Sequence, residues 1–124
     1  MRFPLHITTD MVKWQLKNKL QGRDRYPVVL MLEPLYTCNL ACVGCTPERH
    51  MGDLKDRLSL HECLQAVDDS GAPVVSICGG EPTIYPELAD LVQGIIERKR
   101  HIYLCTNALL LERFFQKSQP HKRL

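Results

Sequence analysis

Short apolar runs and helix-spaced apolar positions alternate along this chain. The runs are Val28-Val29-Leu30-Met31-Leu32-Glu33 after Pro27, Pro73-Val74-Val75-Ser76-Ile77-Cys78, and His101-Ile102-Tyr103-Leu104-Cys105-Thr106. Continuous apolar runs of this length suit strands buried on both faces, as in parallel sheets. Ahead of the first run, Met11, Val12, Leu16 and Leu20 repeat at helical spacing, with Thr8-Thr9-Asp10 as the expected N-cap and Gly22 as the stop. Leu58 to Val67 predicts a helix opened by a capping box, Ser59 with Glu62 three residues on, and closed by Gly71. Pro86 to Arg100 carries Leu88, Leu91, Val92, Ile95 and Ile96 on one helical face. Asn107 is placed to cap a last helix through Leu110, Leu111, Phe114 and Phe115.

The order is one helix, then strand–helix three times. Such alternation predicts an α/β fold with parallel strands joined by crossovers. In these folds chemistry gathers at the C-terminal ends of the strands. Three unusual segments fall there: Cys38-Asn39-Leu40-Ala41-Cys42-Val43-Gly44-Cys45 after the first strand, Gly79-Gly80-Glu81-Pro82 after the second, and Thr106-Asn107 after the third.

Composition narrows the chemistry. A chain of 124 residues, 44% hydrophobic and 24% charged, can bury a core without a disulfide scaffold. The formal net charge of +2, from 16 basic and 14 acidic residues, gives no support for nucleic-acid binding, and no nucleic-acid motif is present. Met1 to His6 do not open a secretory signal, and no apolar run reaches the roughly 18 residues that would suggest a membrane span. A cytoplasmic protein is expected, where clustered cysteines are metal ligands before they are disulfide partners. The basic helix with Lys13, Lys17 and Lys19 reads first as a solvated face, and secondarily as a peripheral contact with the inner face of a membrane.

Six cysteines divide by position. Cys63, Cys78 and Cys105 stand among apolar residues, and Cys63 reads as a buried small hydrophobe. Cys38, Cys42 and Cys45 form a C-x3-C-x2-C run. Three thiolates are one fewer than the four that close a structural zinc or iron–sulfur site, which leaves a position for another ligand. A zinc site completed by His50 is the alternative, but its spacing is unusual and it leaves Gly79 to Pro82 unexplained.

The cysteine run followed by Gly79-Gly80-Glu81-Pro82 resembles the radical S-adenosylmethionine (radical SAM) superfamily. Thr106-Asn107 is similar to the Thr-Asn-Gly turn of many members, with Ala108 in the Gly position. Gly44 departs from the aromatic that usually precedes the third cysteine. The resemblance implies a 4Fe–4S cluster held by Cys38, Cys42 and Cys45, with SAM on the open iron. It also implies a one-electron donor such as flavodoxin or ferredoxin, and release of a 5′-deoxyadenosyl radical. Gly79, Gly80, Glu81 and Pro82 are then expected at the methionine portion, Glu81 accepting from its ammonium, and Thr106 and Asn107 at the ribose or carboxylate. Cys105 is placed to donate a hydrogen atom to a carbon radical, and Cys78 to pack against the cluster.

Four segments, from Leu30 through Glu112, resemble the radical SAM enzymes that make adenosylhopane. That likeness implies addition of the radical to the alkene of a C30 hopene. The implied fold is the N-terminal half of a partial (β/α)6 TIM-like barrel. A helical extension (1–27) precedes about three βα units (28–116). Residues 117–124 form a polar tail that reads as a truncation. An inactive half-barrel, or one completed by a separate chain, is the accompanying expectation.

Overall fold

The computed structural model describes residues 4–45 and 52–124. Helix α1 (Leu5–Leu20) leads into strand β1 (Val29–Leu32). Helix α2 (Leu60–Ser70), strand β2 (Val74–Ile77), a 3-10 turn (Pro82–Ile84), helix α3 (Leu88–Glu97), strand β3 (His101–Leu104) and helix α4 (Leu111–Phe115) follow. The strands form one parallel sheet in the order β1-β2-β3, with Leu32 beside Ile77 and Ile77 beside Leu104. The expected α/β order therefore holds through all three strand–helix units.

Local chemistry accounts for most boundaries. Ser59 Oγ accepts from the Glu62 amide while the Glu62 carboxylate accepts from the Ser59 amide at 2.7 Å, so α2 opens with the expected capping box. Gly71 closes it at φ 60°, a left-handed position that costs a residue with a Cβ about 1 kcal/mol or more. The start of α1 differs from expectation. The helix begins at Leu5, and the Thr9 hydroxyl bonds back to the Leu5 and His6 carbonyls at 2.9 Å instead of capping.

Strand alternation sorts the sheet into two unlike faces. Leu32, Val75, Ile77 and Ile102 pack against Cys63 and Val67 of α2 and Leu91, Val92 and Ile95 of α3, all nearly inaccessible to water. Gly94 lets the helices approach closely, since a Cβ there would lie 2.8 Å from Leu64. On the opposite face Val29, Met31 and Tyr103 remain 48%, 71% and 42% exposed. The expectation that β1 is buried on both faces is thus corrected: only the helix-facing side of β1 is covered among the described residues. The exposed face, with Val29, Met31 and Tyr103, is the one a barrel would turn inward.

Helix α1 also differs. Its expected apolar stripe is exposed at Val12, Leu16 and Leu20, whereas Asn18 is buried and donates to the Trp14 carbonyl. The helix is held by polar ties: Trp14 Nε1 donates to the Pro27 carbonyl, and Asp10 pairs with His101 at the start of β3. The tail is likewise docked, with the Ile102 amide donating to the Arg123 carbonyl and His6 Nε2 2.9 Å from the Lys122 carbonyl. No described helix is long and apolar enough to cross a membrane.

Candidate cofactor site at the strand ends

Beyond Leu32 the chain bends at Pro34, runs on to Thr37 and becomes the stem of the cysteine loop. That stem lies against the segment leaving β2. The Cys78, Gly80 and Glu81 amides donate to the Leu32, Leu35 and Thr37 carbonyls at 2.9, 3.1 and 3.0 Å. Gly79 and Gly80 make this approach possible. A Cβ on Gly79 would sit 2.4 Å from the Leu35 carbonyl oxygen, and one on Gly80 would sit 2.0 Å from that of Thr37. Gly79 also has φ 111°. The closeness that the resemblance ascribes to the methionine portion is here required by the chain's own stem.

Glu81 organises the turn. Only 1% of the residue is exposed. Its Oε1 accepts from the Thr83 amide at 2.9 Å, the Thr83 hydroxyl at 2.5 Å and the Thr106 hydroxyl at 2.6 Å; Oε2 accepts from the Asn107 amide at 2.8 Å. Burial pushes the carboxyl up, but the Thr106, Thr83 and Asn107 hydrogen bonds outweigh it and hold the group below the usual glutamate value. Glu81 is therefore an ionised, internally bonded carboxylate. Three of its four donors share Oε1 and only the Asn107 amide reaches Oε2, so the chain itself occupies most of the carboxylate, and the expected contact with a ligand's ammonium is a matter for proposal. Pro82 is buried and opens the 3-10 turn for which Glu81 is the N-cap.

The segment after β3 completes the arrangement. Thr106 Oγ1 donates to Glu81 and accepts from the Ala108 amide. Asn107 does not cap α4, which starts at Leu111. Its Oδ1 instead accepts from the Leu109 amide, closing a local turn in which Ala108 has φ 66°. Asn107 Nδ2 reaches across to Asn39 Oδ1 at 2.8 Å. A ring of hydrogen bonds thus joins all three strand ends: stem to Glu81, Glu81 to Thr106 and Asn107, and Asn107 back to the cysteine loop.

Asn39 and Thr83 are the participants the sequence reading missed. Asn39 stands between two cysteines, and the sequence reading gave it no role. Asn in loops and Thr two residues past an acid do bond locally, but only the fold shows that Asn39 reaches the third strand's turn.

The thiols of this loop are accessible. Cys42 and Cys45 are exposed and Cys38 is half-buried, its sulfur accepting from the Leu40 amide at 3.4 Å. The Cys45 amide donates to the Cys42 carbonyl in a turn where Gly44 has φ 88°. Among the described residues no three His, Cys, Asp or Glu side chains converge closely enough to hold a metal ion. The donor set nonetheless fits an iron–sulfur cluster, because three soft, solvent-reachable thiols share one short loop. His50, the fourth ligand of the zinc alternative, lies outside the described residues.

The remaining cysteines separate clearly. Cys63 is fully buried, and burial pushes its thiol up, as expected of an inert core residue. Cys78 lies beside the stem, its sulfur 3.7 Å from the Leu32 carbonyl. Cys105 is exposed on the uncovered sheet face, 3.6 Å from Ser76 Oγ.

Comparison with known proteins agrees with this geometry. The family model described as the radical SAM superfamily matches residues 32–121, which include all three strand-end segments. Fe-coproporphyrin III synthase of Methanosarcina barkeri is 32% identical over 95 residues, covering 74% of this chain and 24% of that protein. GTP 3',8-cyclase 1 of Mycobacterium tuberculosis is 36% identical over 114 residues, covering 82% and 32%. Streptococcus suis SuiB bound to its precursor peptide SuiA superposes with a TM-score of 0.64 at 25% identity, over 96% of this chain and 28% of that one. SuiB bound to S-adenosylmethionine gives 0.55 at 28% identity, over 96% and 28%. The chain spans about a quarter to a third of the length of these relatives. Members of this family work with a 4Fe–4S cluster and S-adenosylmethionine. With three parallel strands ending in a thiol loop, a Gly-Gly-Glu-Pro turn and a Thr-Asn turn, the chain belongs to the radical SAM superfamily.

Proposed function

We propose that this chain is the cofactor-bearing part of a radical SAM enzyme. The observation that carries the reading is the hydrogen-bonded ring that ties the cysteine loop to the ends of β2 and β3. When bound, the cluster and SAM supply one-electron cleavage of the sulfonium to a 5′-deoxyadenosyl radical. Cys38, Cys42 and Cys45 would hold the cluster. The stem, gripped by Gly79, Gly80 and the Glu81 amide, sets where their loop begins. Glu81 serves as a positioning residue through Thr106 and Asn107, leaving the backbone of Gly79 to Pro82 and the turn at Thr106-Asn107 to face the nucleoside.

The substrate reading is finer. Addition of the radical to a hopene rests on the sequence segments that resemble adenosylhopane synthases. The relatives named above are a coproporphyrin synthase, a GTP cyclase and a peptide-binding enzyme, and they lend it no support. Within that reading Cys105 donates a hydrogen atom to the product radical, and its thiyl is restored by an electron from the flavodoxin- or ferredoxin-type donor and a proton from solvent, which reaches the exposed Cys105. Further strands, from a partner chain or a longer polypeptide, would cover Met31, Ser76 and Tyr103 and shape the pocket. Membrane contact through α1 belongs to the same lipid reading.

Anaerobic iron–sulfur reconstitution of the 124-residue chain tests the core reading. Electron paramagnetic resonance of the reduced protein is expected to show a 4Fe–4S signal that shifts on adding SAM and is lost in Cys42→Ser. A colourless, zinc-loaded protein, or a cluster that survives Cys42→Ser, would overturn it.

A further inference from the structure

At the other end of the sheet from the thiol loop lies a cavity of about 290 Å³ with a strongly basic wall. Three separate segments supply its cations: Lys13 and Lys17 one turn apart on α1, Lys99 and Arg100 between α3 and β3, and Arg123 in the tail. A single carboxylate, Asp10, stands among them, and it is already paired with His101 at 3.0 Å and Arg123 at 3.5 Å. Arg123 is further occupied by the Lys99 carbonyl. Lys13, Lys17, Lys99 and Arg100 make no ion pair among the described residues. The whole chain carries only +2, so four cations around one cavity, with Asp10 acting on Lys13 and Asp68 on Arg100 only at longer range, are a local concentration and not a share of a general excess.

Two further features mark the residues between α3 and β3. Arg100 Nε is shielded from water and has no hydrogen-bond partner. An atom so shielded does not face the open cavity, so an anion there would meet the guanidinium through its other nitrogens. Lys99 has φ 59°, a left-handed position after a helix that favours glycine, yet the chain places a long cation there. Trp14 forms a flat wall, its Nε1 held by the Pro27 carbonyl and the Arg100 guanidinium 6.0 Å from its ring.

We infer that this cavity binds a phosphate group. A carboxylate has too few acceptors and too little charge for three ammonium groups and a guanidinium fork, whereas a phosphate offers several oxygens and up to two charges. His101 and Asn107 mark opposite ends of β3 and its extension, roughly 20 Å apart at about 3.3 Å per residue, so this is not part of the radical site. Bound phosphate would fasten α1, the α3–β3 link and the tail together and so stabilise the fold by mass action. The inference does not depend on the family's chemistry.

Trp14 is the sole tryptophan of the chain and therefore reports on this cavity alone. Titration with inorganic pyrophosphate at constant ionic strength is expected to change its fluorescence saturably and to raise the melting temperature. In the double variant Lys13→Ala/Lys17→Ala the affinity should fall roughly tenfold or more, since each charged hydrogen bond lost weakens binding several-fold. Both side chains are exposed, so the variant keeps its packing. A parallel titration with phosphatidylglycerol–phosphatidylcholine vesicles separates the sources. A response to pyrophosphate assigns a free phosphate compound, and a response to vesicles alone assigns a lipid headgroup. If sodium chloride produces the same change, or if the double variant binds as the parent does, the site does not exist.

Discussion

Replacing Glu81 by Gln tests the hydrogen-bonded ring with one atom. The side chain keeps its length, and its carbonyl oxygen can still accept from Thr83 and Thr106. The other oxygen becomes an NH2 group facing the Asn107 amide, 2.8 Å away in the parent. Two donors would then meet in a site only 1% exposed. One charge-assisted bond is lost, worth about 1.5–3 kcal/mol, and the buried donors left unmet add about 1 kcal/mol or more. A loss of about 3 kcal/mol is expected by urea denaturation of the apo chain at pH 7. The effect also carries a pH signature. Because the folded carboxyl titrates below its ordinary 4.5, its contribution is complete above about that pH and disappears as pH falls through the lower folded value. The gap between parent and Glu81→Gln should therefore narrow as the solution is acidified. A variant within about 0.5 kcal/mol of the parent at pH 7, a difference typical of neutral surface changes, or a gap that stays constant on acidification, would refute the clamp.

Gly80→Ala should destabilise by about 3 kcal/mol or more, because its Cβ would strike the Thr37 backbone, while Gly71→Ala, with open space around it, should lose only about 1 kcal/mol; thermal denaturation of both distinguishes close approach from mere backbone preference. Ala108→Gly is expected to stabilise by up to about 1 kcal/mol, since φ 66° suits glycine, and a lower midpoint in urea would contradict that turn. In a double-mutant cycle, Asn39→Ala and Asn107→Ala should couple by about 0.5–1 kcal/mol, with faster hydrogen exchange at Leu40 in each variant; additive effects would mean the two amides do not hold the loop. In a full-length enzyme, Cys105→Ala should stop formation of saturated product while SAM cleavage continues, and saturated adduct at the parent rate would exclude Cys105 as hydrogen donor.

Much of the scaffold could be read from periodicity. Short, mostly apolar runs announced strands, helix-spaced apolar residues announced α2 and α3, and Ser59, Glu62 and Gly71 marked the ends of α2 because capping is a local interaction. Position along the chain also placed the thiols, the Gly-Gly-Glu-Pro turn and Thr106-Asn107 at one end of a parallel sheet, since every strand points the same way. Local pattern misled where a long-range partner decided. Val12 and Leu16 lie on an exposed side of α1, because ties from Asp10 to His101 and from Trp14 to Pro27 set how that helix rests. Val29 and Met31 look like core residues and are exposed, because burial depends on a second layer absent from the described residues. Thr83 meets Glu81 locally, two residues on, but the role of Asn39 and the reach of Glu81 to the third strand belong to tertiary structure alone. A carboxylate's partners are whichever donors the fold delivers, and Thr106 and Asn107 arrive from 25 and 26 residues away. The same holds for the basic cavity, whose cations come from α1, the α3–β3 link and the tail: residue types and spacing set what each side chain can do, and only the packing of distant segments decides what it meets.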